Sequence, residues 1–72
     1  MKNIIRKINL KRKVKKNRND YTDLHDKLLM LLIDNDIKWE DKSSEVKGIR
    51  RRLNKLNDDF IDMIYDLNNI ER

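Results

Sequence analysis

The chain has no cysteine, no proline, one glycine and one histidine among its 72 residues. Without thiols there is neither a disulfide framework nor a thiolate metal site to supplement a core. The single His25 excludes a multi-histidine centre. No serine or cysteine nucleophile is placed with it, so it reads as a boundary residue, and Ser43 and Ser44 read as helix caps. Tyr21, Trp39 and Tyr65 are too scattered for a base-stacking platform. Long apolar runs are also missing. The longest, LLMLLI at 28–33, is far too short to cross a bilayer, so a membrane partner is not expected. Arg6 and Lys7 interrupt Ile4, Ile5 and Ile8, which argues against a secretory signal. A cytoplasmic or otherwise intracellular placement is the simplest expectation.

A chain this short makes one small domain and buries a modest fraction of its surface. Stability has to come from helix packing, and from burying a second copy of the same chain.

Charge is plentiful and unevenly distributed. The 18 basic and 13 acidic residues give a net +5. Residues 1–18 carry nine Lys or Arg and no acid; residues 19–45 sum to −5, 46–56 to +5 and 57–72 to −4. Two separated basic blocks attract a polyanion more strongly than the net charge suggests. Lys, Asn and Ile supply 29 residues, an AT-rich codon signature consistent with a bacterium, plasmid or phage. That bias accounts for neither the acid-free start nor the run Arg50–Arg51–Arg52.

Periodicity predicts an all-α fold, a helical hairpin of a short helix and a long one. Residues 1–18 read as a basic N-terminal arm, mobile or partly helical, because its apolar residues match neither period and its charges repel; the alternative is an ordered element packed against the body. Residues 19–72 form the hairpin domain. The first helix is expected near Asp20, with Tyr21, Leu24, Leu28 and Leu31 on its inner face, and ends at Asp34–Asn35–Asp36. Residues 37–44 form the connection, with Trp39 closing one end of the pair. Ser44 is the expected N-cap of the second helix. There Val46, Ile49, Leu53, Leu56, Phe60, Met63, Leu67 and Ile70 follow spacings of 3, 4, 3, 4, 3, 4, 3. This is a full heptad stripe about 37 Å long.

A first helix of about 15 residues leaves part of that stripe bare. The stripe, with Ile64 beside it, is therefore the expected dimer or partner interface. The long helix is basic at its start and acidic at its end, opposing its own macrodipole. An antiparallel copy would set each basic half beside an acidic one, so an antiparallel homodimer is expected.

The candidate nucleic-acid contacts are Lys11, Arg12, Lys13, Lys15, Lys16 and Arg18 in the arm, and Lys47, Arg50, Arg51, Arg52 and Lys55 on the long helix. Such side chains release counterions from phosphate. A helix-turn-helix needs a separate short helix before the reading one, and residues 37–44 leave little room for it. Asp58, Asp59 and Asp62 have a D-D-x-x-D order, but the chain is too small for the cavity that magnesium–diphosphate chemistry needs. Asp34–Asn35–Asp36 lacks the remaining ligands of a calcium loop. No metal, cofactor or enzymatic activity is expected. The sequence reads as a small DNA- or RNA-binding or regulatory protein; the alternative is a helical adaptor or inhibitor of a host or regulatory protein.

Overall fold

The computed structural model describes residues 2–71. Two helices, α1 (Lys2–Ile33) and α2 (Trp39–Glu71), form an all-α antiparallel hairpin. Its principal extents are 55 × 15 × 12 Å.

The first helix is twice the expected length. Residues 2–18 are not an arm but the first half of α1, continuous with the rest. The reason lies in the seam. Lys7, Leu10, Val14, Asn17, Tyr21, Leu24, Leu28 and Leu31 are part-buried or buried, spaced 3, 4, 3, 4, 3, 4, 3, and Arg18 is half-buried beside them. This is the same heptad as on α2, with Lys7 and Asn17 standing where apolar residues would announce it. A continuous stripe needs a continuous helix, and no proline or glycine interrupts α1. Lys16 also pairs with Asp20 one turn on, at 2.9 Å.

On α2, Val46, Ile49 and Leu53 are buried, and Leu56, Phe60, Met63, Leu67 and Ile70 half-buried. Their cover is α1 of the same chain along the whole stripe, which removes the argument that a bare seam requires a second copy. Ile64 is half-buried beside it, while Ile61 is exposed. The charge complementarity expected of an antiparallel copy is met inside the hairpin. The basic start of α1 lies beside the acidic end of α2, so each offsets the other's unfavourable helix dipole.

The turn occupies residues 34–38. Asp34 ends α1 as expected, its Oδ1 accepting the Asp36 N–H at 3.0 Å. The second helix starts earlier than expected, at Trp39 and not at Ser44. The Lys38 carbonyl accepts the N–H groups of Asp41 and Lys42, at 3.0 and 3.2 Å. Glu40 and Asp41 place negative charge in the first turn. Trp39 consequently sits beyond the end of α1 and is 56% exposed, so it does not close the pair.

Candidate functional site

Two polar side chains fix the alignment of the helices. Asn17, 6% exposed, donates Nδ2–H to the Leu56 carbonyl at 2.8 Å. Lys42, 7% exposed, donates from Nζ to the carbonyls of Leu31 (3.0 Å) and Asp34 (2.8 Å). The last carbonyls of α1, which no helix N–H can reach, thus receive a cation from α2. Asn17 with Leu56, and Leu31 with Lys42, are pairs whose numbers total 73. One register therefore runs from the middle of the hairpin to its turn.

With the seam residues labelled a and d, the flanks of an antiparallel pair meet e to e on one side and g to g on the other. The g side carries Arg6, Lys13, Asp20 and Lys27 on α1, facing Asp66, Asp59, Arg52 and Glu45 on α2 in that order. Every facing pair is of opposite sign. Lys27 and Glu45 stand 3.7 Å apart, both exposed. An open groove of about 470 Å³ is lined by Asp20, Lys27, Arg52, Lys55 and Asp59, and another by Arg6, Lys13 and Asp66. These grooves are short-range charge alternations, not a pocket for one kind of ligand. Individually such exposed pairs are weak; together they favour antiparallel over parallel pairing.

The e side is different. Arg18 bridges the helices there. Its Nη2 donates to Asn17 Oδ1 at 2.6 Å and to Asn57 Oδ1 at 3.2 Å. Its Cζ lies 3.9 Å from the Phe60 ring centroid and 4.8 Å from that of Tyr21. Tyr21 in turn stacks on His25, with centroids 6.0 Å apart. These contacts bind cation to ring faces and hold α1 to α2. The e and b positions from Ile8 to Leu29 on α1 and from Ser43 to Ile64 on α2 contain no acidic residue. They do contain Lys11, Lys15, Arg18, Lys47 and Arg50, all exposed except half-buried Arg18.

The eleven basic residues singled out from sequence therefore do not form one set. Lys13 and Arg52 fall on g positions, in line with acids. Lys16 and Lys55 fall on c positions next to the same acids, and Lys13, Lys16, Asp59 and Asp62 line a common groove. Arg12 and Arg51 point outward from opposite helices at f positions. The Asp58, Asp59 and Asp62 triplet spreads over f, g and c, and no group of three metal-binding side chains occurs among the described residues. No described helix is long and apolar enough to cross a membrane.

From sequence, Leu29, Leu32 and Ile33 widen the apolar face of α1 and suggest an end covered from more than one direction, but at the turn end of the hairpin Leu29, Met30, Leu32, Ile33, Ile37 and Trp39 are all exposed. The run LLMLLI was the available signal: six consecutive apolar residues cannot all face one seam. The chain matches no protein-family model, no curated protein and no solved structure.

Proposed function

We propose that the protein binds nucleic acid through phosphate contacts made on the e side, with Lys11, Lys15, Lys47 and Arg50 reaching the phosphates. Arg18 acts as the strut that keeps their two helices together. The observation that supports this reading is the segregation of acids away from one face. Acidic side chains crowd the g and c positions, where they answer nearby cations, and leave the central e and b positions with basic groups alone.

In the register fixed by Asn17 and Lys42, Lys47 stands level with residue 26 of α1. The stripe from Lys11 to Lys47 is then about 22 Å long at 1.5 Å per residue. A row of that length spans several phosphates, and the rings at its centre, Tyr21 and Phe60, are half-buried and already covered by Arg18, so it positions without reading sequence. Four phosphate contacts give a slope of about −3.6 in log affinity against log salt for duplex DNA. Affinity should fall on the order of 100-fold between about 50 and about 200 mM salt. Titration of duplex DNA and single-stranded RNA across that range tests this; binding absent at low salt, or indifferent to salt, rejects it.

The exposed turn end supports a second reading, an adaptor that docks its tip on another protein. Six exposed apolar residues are gathered around that end, with Asp34, Asp36, Glu40 and Asp41 in the same stretch of chain. Trp39 is the single tryptophan, so its emission would shift to shorter wavelength on mixing with a true partner.

A further inference from the structure

We infer that the outer face of α1 is a self-association surface, on which two copies pack antiparallel about a two-fold axis at Asn19. It is argued independently of the phosphate reading and adjoins that face only along the b row of α1, where Lys15 flanks the stripe.

The hairpin exposes more surface than its size warrants. A compact monomer of 8.8 kDa would expose about 4,800 Å². This chain exposes 6183 Å². The excess, about 1,400 Å², exceeds the roughly 800 Å² that each partner contributes to a standard interface. Its core is correspondingly thin: among the described residues three apolar side chains are buried, and none is below 2% exposure. Such a chain gains from covering a further face.

The face in question is the one turned away from α2. Its central stripe, the f positions of α1, reads Ile5, Arg12, Asn19, Asp26 and Ile33, all exposed. Read in reverse, as an antiparallel copy presents it, the stripe is apolar, acidic, amide, basic, apolar. Ile5 therefore meets Ile33 of the second copy, Arg12 meets Asp26, and Asn19 meets itself.

The flanking rows agree. On the b side Ile8 meets Leu29 and Lys15 meets Thr22; on the c side Asn9 meets Met30 and Lys16 meets Asp23. No facing pair joins like charges. Ile5, Ile33 and Met30 are 61%, 65% and 66% exposed, among the most exposed apolar residues of the chain. Each contact off the axis occurs twice under the two-fold operation, as an isologous interface requires. A two-fold axis normal to the plane of the paired helices leaves the e side of both copies facing the same way.

The absence of cysteine makes the test direct. Sedimentation equilibrium on the full chain should show a mass moving from one towards two copies as concentration rises. Asn19→Cys, on the axis, should form a covalent dimer under mild oxidation much faster than Asn54→Cys, which is exposed on α2. Arg12→Glu should weaken association about tenfold, since it creates two like-charge pairs per dimer. Adding Asp26→Arg should restore it. All these positions are exposed, and circular dichroism would verify that each variant keeps its helices. A parent chain that stays monomeric would assign the face to some other partner and overturn the inference. So would equal cross-linking at both cysteines, or no recovery in the charge-swapped variant.

Discussion

Asn17 of α1 donates its side-chain amide to the backbone carbonyl of Leu56 on α2, across 39 residues of sequence and 2.8 Å of space. Its own Oδ1 is occupied at the same time by Arg18 Nε and Nη2, at 3.0 and 2.6 Å. A slip of the helices by one heptad would strip Arg18 of its link to Asn57 and set it against Arg50 or Ile64, neither of which has a side-chain acceptor. A buried amide in a heptad seam costs stability and selects one alignment.

The consequence can be separated into two variants. Asn17→Ala should lower stability by about 1–2 kcal/mol, because it removes the cross-helix bond and leaves a gap. Asn17→Leu refills the seam, so it should unfold within about 1 kcal/mol of the parent. It should nevertheless lose uniqueness, giving broadened amide spectra and a mixture of masses in sedimentation. An Asn17→Leu protein with one sharp spectrum and the parent's mass would remove Asn17 from its register role.

Lys42 secures the turn end. Its ammonium meets the Leu31 and Asp34 carbonyls at 3.0 and 2.8 Å, with Leu32 more distant at 3.5 Å. The last turn of α1 has no basic residue of its own. Lys42→Met keeps the stem and deletes the cation, leaving part-buried carbonyls without a donor, so a loss of about 1–3 kcal/mol is expected. Amide exchange should accelerate chiefly over residues 28–33. Uniform acceleration along α1 would mean that Lys42 supports the whole seam and not the helix end.

How far the sequence disclosed this fold depends on which side chains fill the seam. On α2 all eight stripe positions from Val46 to Ile70 are apolar, and the helix was legible. On α1 the identical spacing passes through Lys7 and Asn17, and a search for apolar residues stops between Val14 and Tyr21. The acid-free charge of residues 1–18 then suggested an open chain, although the charges that stabilise its helix lie about 50 residues away on α2. Once the register is known, the opposite signs at Arg6, Lys13, Asp20 and Lys27 against Asp66, Asp59, Arg52 and Glu45 follow from sequence alone. The division of basic residues between a neutralised side and an acid-free side is not visible in either helix alone, because it depends on the register of both.

Gly48 offers a stabilising change. It lies inside α2, has no positive φ, and a Cβ placed on it would meet nothing within 4 Å. The helix consequently carries glycine's entropic cost with no steric reason for it. Gly48→Ala should add about 0.5–1 kcal/mol and raise the thermal midpoint by about 4 °C. Thermal denaturation followed by circular dichroism reads this directly. A loss of stability would show that a partner or a second copy approaches the backbone at this point.

The phosphate reading makes a sharper demand than salt dependence alone, because any cationic protein of net +5 binds polyanions to some degree. Two double variants remove the same charge from different faces. Lys15→Glu with Lys47→Glu alters the acid-free e side; Lys16→Glu with Lys55→Glu alters c positions near Asp23, Asp59 and Asp62. Net charge falls equally in both, so non-specific attraction falls equally. If phosphates lie along the e side, the first pair should lose about two phosphate contacts and lower the salt slope by roughly 1.8, whereas the second should leave the slope near its parent value. Equal changes in the two slopes would mean that the protein is held by its overall charge, and that the segregation of acids on its surface serves the pairing of its helices alone.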